Sequence, residues 1–109
     1  MQIFMALADP VRAQIVEMLS AADLAAGDIA ARFTISRPAV SRHLSVLLRS
    51  KLVAVRGEAQ RRVYSLDPRG LDEASKWIDE TRRVWTGRLD ALGRHLDEVA
   101  ARSKEPSDG

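Results

Sequence analysis

The chain of 109 residues contains no cysteine. That removes disulfides, thiolate metal sites, iron–sulfur clusters and cysteine nucleophiles together. Only 2 histidines are present, so imidazole chemistry has almost no material to work with. Aromatic residues are scarce, at 5%. No apolar run approaches the ~20 residues of a membrane span, and no membrane partner is expected. The apolar start, Met1 to Ala8, has no basic residue ahead of it and does not read as a signal peptide. No paired nucleophile and base, metal cluster or phosphate loop occurs, so an enzyme is not expected. What is present is a helix-leaning composition, 46% apolar with 16 alanines and 29% charged. The length suits one small cytoplasmic domain, placed at residues 1–102 with a polar, disordered tail at 103–109.

Charge is unevenly placed. Between Arg32 and Arg62 lie 8 basic residues against one acid, Glu58, while the rest of the chain is net negative and the total is +2. A solvated face normally mixes signs, so a one-signed middle points to a polyanion or an acidic protein surface.

Periodicity places the elements. Asp9-Pro10 reads as an N-cap with proline in the first turn, opening a helix that ends near Ser20. A shorter helix over roughly Ala25 to Arg32 is expected to bury Ile29 and Phe33, although no Ser or Thr caps it. Phe33-Thr34-Ile35 connects it to Ser36, a good N-cap with Pro38 behind it. The helix from Arg37 to Arg49 repeats Val40, Leu44, Leu47 and Leu48 on one side. Leu52 to Arg56 and Arg61 to Leu66 suit two strands around a turn at Gly57 to Gln60. Asp67-Pro68 ends the hairpin, and an amphipathic helix is expected from about Leu71 to Ala101. The fold class is therefore mainly α with a small β-hairpin: helix, helix, helix, hairpin and long helix, behind a short apolar N-terminal turn. Two consecutive helices, the second basic, followed by a basic hairpin form the pattern of a winged helix-turn-helix.

On a helical wheel Leu44 and Leu47 fall within ~40° of Val40 at 100° per residue. Pro38, Arg42, Ser45 and Arg49 fall opposite, flanked by Arg37 and Ser41. A helix entering a major groove needs this: small residues for close approach, hydroxyls for phosphates or base edges, and arginines for guanine O6 and N7. Its N-terminus, capped by Ser36, adds free N–H groups for a phosphate. The hairpin supplies Arg56, Gln60, Arg61 and Arg62, which suit a phosphate backbone or a minor groove. Two readings of this constellation stand: a double-stranded DNA binder, or a winged-helix module that meets an acidic protein partner without specific DNA binding.

At these residues the chain resembles the ArsR family of bacterial winged helix-turn-helix regulators. The resemblance rests on Ala6-Leu-Ala-Asp-Pro-Val-Arg12, Gly27-Asp-Ile-Ala-Ala-Arg-Phe33, Ser36-Arg-Pro-Ala-Val-Ser-Arg-His-Leu44, Leu47, Leu52-Val53 and Arg61-Arg-Val-Tyr-Ser-Leu-Asp-Pro68, and runs from Ala6 to about Leu96. Within the family the chain is similar to the branch with a tryptophan in the last helix, Trp85 here, and no cysteine metal box. The resemblance implies a homodimer on a pseudo-palindromic operator, repressing transcription, often of its own operon, in the bacterial cytoplasm and on the nucleoid when DNA-bound. It implies that Ser36, Arg37, Ser41 and Arg42 face DNA, with Arg61 and Arg62 on the wing.

Many relatives release DNA on binding a metal. A second kind of family site pairs Asp-x-His with His-x-x-Glu or His-x-x-His on paired last helices, and His95-Leu-Asp-Glu98 matches His-x-x-Glu. No Asp-x-His occurs, however, and the partner positions fall on Arg82 and Val84, where an arginine repels a cation. No metal or other cofactor is expected, and His43 is expected to be hydrogen-bonded within the domain. A small-molecule effector and regulation by concentration alone both remain open. The long helix, ~45 Å at 1.5 Å per residue, exceeds what one small core covers. Dimerisation through the N- and C-terminal helices is expected, using Ile3, Phe4, Leu7, Trp77, Trp85, Leu89, Leu92 and Leu96, unless the helix frays at Gly87 and Gly93.

Overall fold

Two Asp-Pro steps set the helical frame. Asp9 adopts an extended backbone and its Oδ1 accepts from the N–H groups of Val11 and Arg12, at 2.8 and 3.2 Å, which starts the helix at Pro10. Asp67 does the same before Pro68, its Oδ1 accepting from the Arg69 N–H at 3.0 Å. The structure, a computed structural model, describes residues 2–104. Its elements are α1 (Gln2–Leu7), α2 (Pro10–Ala21), β1 (Leu24–Ala25), α3 (Ala26–Ala30), α4 (Arg37–Arg49), β2 (Val53–Glu58), β3 (Arg61–Leu66) and α5 (Pro68–Lys104). Mostly helix with a small antiparallel sheet, this is a winged helix-turn-helix. The backbone divides into two compact units between Ala74 and Ser75.

The first unit holds the core. Ile15 of α2, Ile29 of α3, Val40, Leu44 and Leu47 of α4, Leu52, Val53 of β2 and Tyr64 of β3 are buried together. Each such side chain contributes roughly 1.5–3 kcal/mol of apolar burial, which is what orients α4 with its other face outward. α4 ends in a Schellman motif: the Leu52 N–H donates to the Leu47 carbonyl and the Lys51 N–H to the Leu48 carbonyl, both at 3.1 Å. Lys51 takes the left-handed conformation this requires, with φ 57°. Its carbonyl accepts from the Gly70 N–H at 2.9 Å. A Cβ on Gly70 would lie 2.3 Å from that oxygen, so the approach of the α5 first turn to the α4 cap needs glycine.

The sheet has the order β1-β3-β2. The expected hairpin thus gains a third strand, because Leu24 and Ala25 pair with Tyr64 and Val63. A two-residue strand leaves no periodicity to read. The β2–β3 ladder runs to Glu58↔Arg61, so the turn is Ala59-Gln60 alone rather than Gly57 to Gln60. Ala59, with φ 57°, carries the positive φ that a two-residue turn demands.

Other boundaries also differ from expectation. The N-terminal apolar turn is a helix, α1, whose Ile3 and Ala6 are buried. Ile3, placed at a dimer interface by sequence, is 4% exposed and lies in the core of the first unit. α3 is shorter than expected, and Phe33 beyond its end is half-buried rather than buried. In the second unit α5 is unbroken at Gly87 and Gly93 and takes in Ser103 and Lys104, two residues expected to be tail. The remainder of that expected tail, residues 105–109, lies outside the described residues. No described helix is long and apolar enough to cross a membrane.

Candidate nucleic-acid interface

α4 starts where Ser36, with an extended backbone, accepts the Ala39 N–H on its Oγ at 3.2 Å. The hydroxyl proton of Ser36 stays available to a phosphate oxygen, since a hydroxyl both donates and accepts. With Val40, Leu44 and Leu47 turned into the core, Ser36, Arg37, Pro38, Ser41, Arg42, Ser45 and Arg49 are all exposed. Ser41, Arg42, Ser45 and Arg49 line one shallow groove of about 620 Å³ with Val46 and Leu48. The Arg37 guanidinium extends back across α3, with Nη2 3.5 Å from where a Gly27 Cβ would stand. Among the described residues no acid is within ion-pair distance of Arg37, Arg42 or Arg49. These are cations without internal compensation, the state a phosphate or guanine edge requires.

The wing is organised differently. Successive strand residues point to opposite faces. Arg61 and Arg62 are consecutive, and the pairs Arg56↔Val63 and Gly57↔Arg62 put Arg56 on the face of Arg61 and leave Arg62 on the other. On their shared face the two arginines are already paired. Arg56 Nη1 lies 2.8 Å from Asp23 Oδ2, with Glu58 at 3.5 Å, and Arg61 Nη2 lies 3.0 Å from Asp28 Oδ2. The Asp23 hydrogen bond raises the Arg56 pKa above its ordinary value. Gln60, Arg61 and Arg62 line a recess of about 360 Å³ with Ala25, Ala26, Gly27 and Asp28. Arg56 does not join them. Periodicity could not reveal these pairs, since Asp23 and Asp28 are each 33 positions from their arginines.

A further group escaped the sequence reading. Arg12, half-buried on α2, bonds to α1 and to His43 of α4. Its signal was a cation on an otherwise apolar helix face. His43 is inside the domain on the edge of the apolar face, and His95 lies on the exposed surface of α5. Among the described residues no three metal-ligating side chains come together.

A basic helix packed on a helix-turn-helix core beside an arginine-bearing hairpin defines the class as winged helix-turn-helix. Comparison with known proteins agrees. A family model described as a helix-turn-helix domain matches residues 7–56. The chain is 45% identical over 92 residues to the HTH-type transcriptional regulator Rv2034 of Mycobacterium tuberculosis, covering 84% of this chain and 83% of that one. It is 36% identical over 76 residues to the transcriptional repressor SdpR of Bacillus subtilis, covering 70% and 84%. An ArsR-like transcriptional regulator from Rhodococcus superposes with a TM-score of 0.75 at 28% identity, over 85% of this chain and 88% of its own. A structure described as a possible transcriptional regulator for arsenical resistance gives 0.70 at 33% identity, over 87% and 96%. The chain belongs to the ArsR family of winged helix-turn-helix transcriptional regulators.

Proposed function

We propose that the chain is a repressor that binds a pseudo-palindromic double-stranded DNA operator as a homodimer, often its own promoter, and performs no chemistry of its own. The observation that carries this is the outer face of α4. Three guanidinium groups, Arg37, Arg42 and Arg49, stand beside Ser41 and Ser45 with no acidic partner among the described residues. Arg42 and the serines read base edges, Ser36 and the helix N-terminus hold a phosphate, and Arg62 with Gln60 meets the adjacent backbone. Arg56 and Arg61 reach DNA only by exchanging an aspartate for a phosphate.

The dimer is supported by α5. Its stripe of Trp77, Val84, Trp85, Leu89, Leu92 and Leu96 is exposed, with Trp85 at 55% and Leu89 at 59%. Such a seam on one helix calls for a second copy. Phe4 and Leu7 are half-buried, and Met5, at 73% exposure, has the surface that Ile3 lacks. The repressor works in the cytoplasm, on the nucleoid when bound. The absence of cysteine supports the branch without the cysteine metal box.

Fluorescence anisotropy tests the reading, using a labelled fragment from upstream of its own gene and a scrambled duplex across a salt series, with zinc or a chelator. Preference for the upstream fragment, a steep salt dependence and indifference to zinc are expected. Arg42→Ala weakens specific binding by ~1–3 kcal/mol and leaves self-association intact. Unchanged affinity in that variant would remove α4 from the groove, and zinc-dependent release would restore His95 and Glu98 as ligands.

A further inference from the structure

The residues Asp9, Arg12 and His43 belong to the motifs quoted above, yet none of them is among the proposed DNA contacts, although Arg12 shares a recess with Arg49. The Arg12 guanidinium joins three helices. Its Nε donates to the Ala6 carbonyl at 2.8 Å and its Nη2 to the Met5 carbonyl at 3.3 Å, both near the C-terminal end of α1. Its Nη1 lies 3.1 Å from Nδ1 of His43, in the middle of α4. A guanidinium has donors and no acceptor, so Nδ1 must offer its lone pair. An accepting Nδ1 carries no proton, so this hydrogen bond requires the Nε2–H tautomer of His43.

Asp9 stands beside the pair. Its Oδ1 is occupied by the Val11 and Arg12 N–H groups and lies 3.9 Å from the same Nδ1, beyond hydrogen-bond reach. Burial raises the Asp9 carboxyl, but the backbone N–H groups of Arg12 and Val11, with smaller contributions from nearby His43 and Arg12, together hold the pKa below its ordinary value. The carboxylate is thus charged and near. Among the described residues Arg12 and Asp9, both from the start of α2, are the charged groups found against His43.

We propose that Arg12 and His43 are positioning residues for DNA binding, a clamp that fixes α4 against the end of α1 only while His43 is neutral. Protonation at Nδ1 turns an acceptor into a donor facing another donor. The imidazolium then turns toward Asp9, competes for the oxygen that caps α2, and frees Arg12 from α4. The two arrangements, Arg12-bound and neutral or Asp9-bound and charged, make a two-state element biased by protons. Its output is the seating of the neighbouring Arg42 and Ser41. An extra cation alone strengthens contact with any duplex, so the clamp predicts the opposite trend for operator and scrambled DNA as pH falls.

The proposal rests on the DNA-binding reading, and the test separates the two. Anisotropy on both duplexes between pH 8 and pH 5.5 would compare the wild-type chain with His43→Asn, His43→Leu and Arg12→Ala, each first shown folded by circular dichroism. Asparagine places an acceptor oxygen where Nδ1 stands and cannot be protonated. Loss of a hydrogen bond to a charged group is expected to lower affinity about tenfold or more. The wild-type chain is expected to lose about tenfold in operator affinity on acidification by that measure, without losing scrambled-duplex binding. His43→Asn should keep the neutral-pH affinity and flatten the profile. His43→Leu and Arg12→Ala should bind the operator about tenfold more weakly at every pH. An unchanged pH profile in His43→Asn, or wild-type affinity in His43→Leu, overturns the clamp. Nitrogen-15 NMR of the imidazole and hydrogen exchange of α4 judge it without DNA. Neutral His43 should show a proton on Nε2 alone, and α4 protection should fall with pH in the wild-type chain but not in His43→Asn. Binding to neither duplex sinks the DNA reading, and the clamp then stands or falls on those two measurements.

Discussion

The two units of this chain contain helices of similar amphipathic character that meet opposite fates. In the first, α4 turns Val40, Leu44 and Leu47 into a core built from α1, α2, α3 and the sheet. In the second, no described side chain is buried, and Trp85, Leu89, Leu92 and Leu96 of α5 stand open. An isolated helix draws most of its stability from packing rather than propensity. A face that meets its core within the same unit is self-sufficient, whereas a face that does not must find its cover elsewhere. The difference teaches that one pattern of threes and fours specifies a surface to be buried and leaves the burying partner unspecified.

Substitutions on the two faces test this comparison directly. Leu47→Ala removes a fully buried side chain and should cost ~2–5 kcal/mol of unfolding free energy, with a urea midpoint shift independent of protein concentration. Leu92→Ala should instead act through self-association, its effect growing on dilution and appearing as a larger dissociation constant in sedimentation. Equal, concentration-independent losses in both would break the comparison. A smaller effect is expected where α5 begins inside the first unit. Gly70→Ala places a methyl against the Lys51 carbonyl, and a rigid backbone atom cannot give way. The expected loss is ~1–3 kcal/mol in thermal or chemical unfolding, larger than any ordinary helix-surface glycine replacement at Gly87 or Gly93. The smallest effect is a gain. Lys51→Gly relieves a left-handed lysine at the α4 cap, offset by glycine's chain entropy, and should stabilise the first unit by up to ~1 kcal/mol.

Legibility followed the range of each interaction. The caps at Asp9 and Ser36, the apolar repeat of α4, the hairpin signal around Gly57 and the one-signed charge from Arg32 to Arg62 are local, and each was read directly. β1 was missed because Leu24-Ala25 has no strand pattern of its own and becomes a strand only by pairing with Tyr64 and Val63. Ile3 looked like surplus apolar surface because nothing nearby in sequence covers it. Its burial comes from helices further along the chain. The wing arginines looked equivalent, and only the strand register and the distant acids Asp23 and Asp28 tell Arg62 from Arg56 and Arg61.

The amino-acid order by itself determined the main helices and the β2–β3 hairpin, which side of α4 is polar, and which family the chain resembles. These depend on propensity, capping and periodicity, whose reach is one or two turns. Tertiary structure alone decided which cations are free. Among the described residues it left Arg37, Arg42 and Arg49 without an acidic partner, paired Arg56 and Arg61 across 33 positions each, and drew Arg12 to His43 across 31. Such pairings are decided by where the core brings separate elements together, and spacing along the chain carries no trace of that meeting.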